Sequence, residues 1–280
     1  MDQDISATQY TLGDLLYLME RLRDPDTGCS WDVQQTFATI VPSTLEEAYE
    51  VADAIERGDF NHLGEELGDL LFQVIFYAQL GREKGYFDFN GLVSQLTAKL
   101  IGRHPHVFPD GQLRAVANAT NKDDVDVKAQ WESLKTKERE KKGDAGVFAD
   151  VPLNLPSVSR AQKLQKRAAN VGFDFESPNT AMMKVREELQ EVEHELQQMQ
   201  GGRASEALGE ELGDLLFSVV NVCRLSKFDA ESLLRATNRK FEHRFGNMER
   251  QLLTDGVSVE TATLTQMEAA WQAVKALDES

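Results

Sequence analysis

The chain has 280 residues, 41% of them apolar, enough for one large domain or two ordinary ones with buried cores. Lys and Arg total 30 against 47 Asp and Glu, a formal charge of −17, so most of the surface repels a phosphate backbone and nucleic acid is not an expected partner. A small polyphosphate can still bind where metal ions and a few local Lys or Arg neutralise it.

The segment from Met1 to Thr11 is polar and acidic, unlike a basic and then apolar leader. No later stretch approaches the roughly 20 apolar residues of a membrane span, so a cytoplasmic protein without membrane insertion is expected. Cys29 and Cys223 lie far apart and outside any CxxC pattern, which indicates neither a disulfide framework nor a zinc site. Ser43 followed by Glu46 reads as a capping box at a helix start, and Gly58 with Asp59 as that helix's end. Leu67, Leu70, Leu71, Val74, Ile75 and Ala78 then recur at helical spacing and predict a second amphipathic helix from about His62 to about Gly81. Gly111 to Asp126 is polar and poor in large apolar residues, and Lys135 to Asp150 is a charge-rich helix end running into a Gly-containing loop. A boundary between Gly143 and Asp150 divides the chain into helical domains 1–145 and 146–280.

The second half repeats the first. Gly64-Glu-Glu-Leu-Gly-Asp-Leu-Leu-Phe72 recurs without change as Gly209-Glu-Glu-Leu-Gly-Asp-Leu-Leu-Phe217. Upstream of each copy lies a second acidic cluster, Glu46-Glu47-Ala-Tyr-Glu50 and Glu187-Glu188-Leu-Gln-Glu191. Downstream come Lys99 to Arg103 and Lys240 to Arg244, then Trp131-Glu-Ser-Leu-Lys135 and Trp271-Gln-Ala-Val-Lys275. Ser177-Pro178 suits a helix start with Pro in the first turn, and Gln200-Gly-Gly-Arg203 is a loop a few residues longer than its counterpart. With no alternating strand pattern, each copy is expected to be an antiparallel helix pair plus two further helices, and the whole chain all-α.

Residues three apart share a helix face, which pairs Glu47 with Glu50 and Glu66 with Asp69, and in the second copy Glu188 with Glu191 and Glu211 with Asp214. Glu66 and Asp69 directly precede Leu67 and Leu70, at the margin of the apolar stripe, so facing helices would gather four partly desolvated carboxylates. Such a group repels itself unless protonated or bridged by a hard divalent cation with oxygen ligands, and Mg2+ fits best because it keeps waters and bonds substrate phosphates. One helical EExxE alone reads as a solvated face; pairing with ExxD and duplication of the whole arrangement weigh against that. Di-iron bundles use Glu-x-x-His, which neither copy has, and His104 and His106 in Arg103-His-Pro-His-Val-Phe108 read as capping or packing residues rather than distant ligands. Lys240 with Arg244, and Lys99 with Arg103, lie four apart on a helix and either grip phosphates or serve as surface cations. Trp131 and Trp271 stack on a base or, more commonly for such residues, pack in a core.

At these residues the sequence resembles the MazG family of nucleoside triphosphate pyrophosphohydrolases, whose pattern is EExxE followed by ExxD. The similarity runs from about Thr11 to Leu277 and includes Gly28-Cys-Ser-Trp-Asp32, Arg103-His-Pro-His-Val-Phe108 and Arg160-Ala-Gln-Lys-Leu-Gln-Lys166. It implies an all-α fold assembled into dimers, dependence on Mg2+ with Mn2+ as a substitute, and cleavage of nucleoside triphosphates to monophosphate plus pyrophosphate with broad base tolerance. It also implies a housekeeping or nutritional-stress role. Carried onto this chain, it makes Glu188, Glu191, Glu211 and Asp214 metal ligands, with Lys184, Lys240, Arg244 and Trp271 around the nucleotide. Glu47, Glu50, Glu66 and Asp69 with Lys99 and Arg103 form the counterpart in the first copy, and the second copy is the main catalyst. Arg186, where an aromatic residue would be unsurprising, and the Gln200 to Arg203 loop bear on base preference. Glu187 or Glu210 is a spare acid placed to accept a proton from the attacking water. Two other readings compete: a nucleotide-sensing module that binds without turnover, and a pyrophosphohydrolase of the same class restricted to one nucleotide.

Overall fold

The computed structural model describes residues 9–114, 146–198 and 205–278. Trp131-Glu-Ser-Leu-Lys135, the Gln200 to Arg203 loop and most of the expected inter-domain segment lie outside the described residues. The chain divides into two compact units, Met1–Lys137 and Glu138–Ser280. Every regular element among the described residues is a helix, as the sequence pattern requires.

In unit one these are α1 (Leu12–Leu22), α2 (Ser30–Gln34), α3 (Phe37–Arg57), α4 (Phe60–Glu83) and α5 (Phe89–Arg103). The long pair α3 and α4 dominates the packing, with α1 and α5 resting on α4. The expected start of α3 at Ser43 is corrected: the helix begins two turns earlier, where Thr36 and Thr39 form a reciprocal capping box. Burial explains this. Ile40 is in the core, and Phe37 stacks at 6.0 Å from Tyr77. Pro42, near the N-terminus of the helix, is tolerated because it breaks a single backbone bond there. At the other end, Gly58 takes φ 70° and Asp59 caps α4 through the His62 N–H, so the turn that aligns α3 against α4 spans only two residues. Met19, Ile40, Ile75, Phe76 and Leu80 form the core.

The Gly28–Asp32 segment clamps this core. A Cβ on Gly28 would stand 2.4 Å from the Leu22 carbonyl oxygen, so only glycine fits the close backbone approach. Arg23 lies over the Phe76 ring at 5.3 Å, donates to both Glu83 carboxylate oxygens at 2.8 and 2.7 Å, and reaches the Asp32 carbonyl.

In unit two the helices are α6 (Ser157–Ala169), α7 (Pro178–Gln198), α8 (Glu206–Leu225), α9 (Ala230–Thr254) and α10 (Leu264–Asp278). Here α7 and α8 are the central pair, α6 lies on α8 and α9, and α9 packs along α10. Pro178 opens α7 as expected, and Ser177 and Thr180 exchange hydrogen bonds at 3.0 and 3.2 Å. The duplicated helices differ inside where Asn221 on α8 is buried in place of the core Phe76 of α4, whereas Ser218 and its counterpart Gln73 are both buried polar residues; Gln165 on α6, also buried, donates to the Phe217 carbonyl at 2.8 Å. The apolar cluster of this unit, Met248, Leu252, Ala270 and Val274, sits instead between α9 and α10.

Candidate functional site

Each central helix pair brings its acids together. In unit one, ligand atoms of Glu47 on α3 and of Glu66 and Asp69 on α4 lie within 4.8 Å of one another; in unit two the same holds for Glu188 on α7 and Glu211 and Asp214 on α8. The fourth acid of each copy stands close enough to affect its neighbours' ionisation, Glu50 that of Glu47 and Glu66, while Glu188 affects that of Glu191. Of the four acids that helical spacing pairs in each copy, three therefore converge.

The electrostatics show a site short of positive charge. Burial first, then the charges of Asp69 and Glu50, push the Glu47 carboxyl above its ordinary range. Burial and Glu50 do the same to Glu66, against a lowering by His62. In unit two the hydrogen bond with Glu188 and then burial raise Glu191. Oxygen donors that raise one another's pKa at a helix–helix seam fit a hard divalent cation, which would hold them ionised.

The two copies pair their most buried acid with different basic side chains. In unit two that acid is Glu188, on the first helix of the pair, and Lys184 one turn before it stands 2.7 Å from both Glu188 and Glu187. These two contacts hold the Lys184 ammonium charged well above the usual lysine range. In unit one the most buried acid is Glu66, on the second helix, and its partner is His62, with Nε2 2.8 Å from Oε1. The repeat places Ser43 opposite Lys184 and Ala207 opposite His62, so each copy lacks the other's basic partner. His62 was missed in the sequence, although its position four residues before Glu66 on one helix is the readable signal.

Most of the other expected residues lie on helices outside the central pairs. Lys240 and Arg244 are on α9, which packs chiefly on α10; Lys240 is exposed, and Arg244 donates from Nε to Asp278 at 2.7 Å. Trp271 is partly buried against the α9–α10 core, 5.5 Å from the Phe241 ring. Lys99 is exposed on α5 and Arg103 ends that helix. His104 takes the capping role, with Nδ1 2.6 Å from the Leu100 carbonyl. Glu187 and Glu210 are exposed neighbours of the close cluster in unit two.

Comparison with known proteins agrees with this duplicated site. A family model described as the MazG nucleotide pyrophosphohydrolase domain matches twice, over residues 35–108 and 176–248, and each match spans one complete acid set. The chain is 49% identical to the nucleoside triphosphate pyrophosphohydrolase of Escherichia coli K12 over 261 residues, covering 93% of this chain and 95% of the relative. It is 38% identical to the nucleoside triphosphate pyrophosphohydrolase/pyrophosphatase MazG of Thermotoga maritima over 267 residues, 95% and 96% of the two chains. A Bacillus subtilis protein, YabN, is 37% identical over 265 residues, 92% of this chain but 50% of its own length. With two family domains, each spanning its own acid-bearing helix pair, and the Escherichia coli and Thermotoga maritima relatives matched along nearly their whole length, the chain belongs to the MazG family of nucleotide pyrophosphohydrolases.

Proposed function

We propose that the protein hydrolyses ribo- and deoxyribonucleoside triphosphates to monophosphate and pyrophosphate with broad base tolerance, in the cytoplasm. It would use Mg2+, with Mn2+ as a substitute, and its domains would be 1–145 and 146–280. The observation that carries this reading is the seam between α7 and α8 where three acids converge, repeated between α3 and α4. Glu188, Glu191, Glu211 and Asp214 would hold the cation in unit two, as Glu47, Glu50, Glu66 and Asp69 would in unit one. The cation, when bound, would offset phosphate charge and lower the pKa of coordinated water.

The remaining steps belong to the chain. Glu187 or Glu210 accepts the proton of the attacking water from the rim of the cluster. Lys184, fixed beside Glu187 and Glu188, brings a permanent cation to the triphosphate. Lys240 and Arg244 stabilise charge developing on the pyrophosphate leaving group, and Trp271 flanks the base. Unit two is the main catalyst in this reading, because unit one has Ser43 where Lys184 stands. The acting form is a homodimer.

Purified protein given Mg2+ and a panel of nucleoside triphosphates should release pyrophosphate and monophosphate in equal amounts from every base. Release of orthophosphate alone, or no release, would refute the proposal.

A further inference from the structure

We propose that Gln162 and Gln165 are positioning residues of unit two. From one face of α6 they fix the angle between α8, which carries Glu211 and Asp214, and α9, which carries Lys240 and Arg244. The inference rests on the proposed hydrolysis with unit two as catalyst, and deepens it by naming what holds the phosphate-binding cations in register with the acids.

The need for such a device is geometric. The acids sit in the seam of α7 and α8, whereas α9 packs chiefly on α10 and touches α8 only lightly. Lys240 and Arg244 lie about 15 and 21 Å along the helix axis from Ala230, where α9 begins. A tilt of about 5° at that origin carries both cations by more than about 1 Å, a misplacement that can cost roughly 100-fold in rate.

The corner between α8 and α9 is built to be held. Lys227 takes φ 69°, a left-handed conformation that strains an L side chain and persists only where the surroundings fix it. Gln162 supplies the hold, because its Nε2 donates to the Phe228 carbonyl at 3.2 Å and its Oε1 accepts from the Ala230 N–H at 2.8 Å. Both ends of one amide thus grasp the backbone on either side of Asp229, which caps α9 through the Ser232 N–H at 2.8 Å. The Ala230 N–H is one of the first-turn donors that α9 cannot satisfy within itself. Gln165, three residues on and on the same face of α6, donates from Nε2 to the Phe217 carbonyl at 2.8 Å, about one turn of α8 beyond Asp214. A single helix therefore ties the acid-bearing part of α8 to the origin of α9. In unit one the matching place, between α1, α4 and the first turn of α5, is an open pocket lined by Leu16, Met19, Ala78, Arg82, Asp88 and Phe89. That contrast supports unequal roles for the two copies.

The test is a mutant cycle on the full chain, read as pyrophosphate release under single-turnover conditions and as calorimetric Mg2+ binding. Gln162→Met keeps the length of the side chain and removes both hydrogen-bonding ends. It should lower kcat/KM by roughly tenfold or more while Mg2+ affinity stays within about threefold, since the acids do not move. In a chain already carrying Lys240→Ala and Arg244→Ala, the same substitution should cost less than about twofold, because the groups it positions are gone. Circular dichroism verifies folding, and Gln165→Met carries the same cycle if Gln162→Met does not fold. Equal losses in the two backgrounds would mark a merely structural role and overturn the proposal, as would unchanged turnover in both folded glutamine variants. A parent that releases no pyrophosphate sinks the hydrolysis reading itself, and the positioning role with it.

Discussion

Glu188 and Glu47 occupy matching places in the two acid sets, and their replacement separates the copies. Loss of a residue that merely orients a metal ligand costs about 10- to 100-fold, so Glu188→Gln, which removes a ligand, should lower pyrophosphate release by roughly 100-fold or more. Glu47→Gln should leave most turnover in place. Steady-state pyrophosphate assays on the two variants decide this, and unchanged turnover in Glu188→Gln would remove unit two from the catalytic role. The same residues set a pH dependence. Folding raises the Glu47 and Glu66 carboxyls above their ordinary 4.5, so the stability that comes from their protonated forms is complete below about that pH. It is lost as pH rises through the folded values. With chelator present, Glu47→Gln should therefore gain thermal stability relative to the parent between pH 4.5 and 7, because Gln carries no charge to repel Glu50, Glu66 and Asp69. Melting curves at the two pH values check the sign, and added Mg2+ should shrink the difference by stabilising the parent more. Residue spacing revealed which acids converge, since helical geometry alone brings i and i+3 to one face. It did not reveal which acid in each set would be most buried, because that depends on the packing depth of facing helices; the i, i+4 spacing of His62 and Glu66 was readable, but that His62 and Lys184 each pair with the most buried acid of their copy became visible only in three dimensions.

The two-residue turn between α3 and α4 governs the geometry of the unit-one cluster, because Glu47 and Glu66 lie on opposite sides of it. Gly58 at φ 70° sits in a region that costs an L-residue about 1 kcal/mol or more. Gly58→Ala should accordingly lower the unfolding free energy of unit one by about 1 kcal/mol, read as a lower urea midpoint at unchanged slope. A midpoint equal to that of the parent would mean the turn relaxes elsewhere. This helix end was legible, since Gly followed by a capping Asp is a local signal, and so was the body of α4, although the helix extends slightly beyond both expected ends, from Phe60 to Glu83. The start of α3 was not. Ser43 and Glu46 have the spacing of a capping box, but Phe37 and Ile40 are drawn into the core against Tyr77 and its neighbours, and that burial carries the helix back to Thr36. Local signals placed the ends where backbone chemistry decides and misplaced the one where tertiary contacts do.

At the scale of the molecule, duplication leaves the same apolar stripe uncovered twice. Leu67, Leu71 and Val74 on α4 are 41–49% exposed, and their counterparts Leu212, Leu216 and Val219 on α8 are 43–70% exposed. Each triplet follows an i, i+4, i+7 line on a helix that also carries metal-site acids. Six large aliphatic side chains in two matching rows exceed what isolated surface residues account for, which makes them the face on which we propose the dimer closes. A chain with a formal charge of −17 resists indiscriminate aggregation, so a defined pairing of these rows with those of a second copy is the expected outcome. The parent protein should sediment as a dimer of 31.4 kDa chains, and Leu71→Asp with Leu216→Asp should shift it toward monomer while the far-ultraviolet helical signal is retained. Because α8 bears Glu211 and Asp214 within a few residues of Leu212 and Leu216, loss of the dimer should reduce pyrophosphate release as well. A parent that sediments as a monomer at micromolar concentration would leave the rows without this partner; a folded double variant that dimerises as the parent does would place the interface on another face.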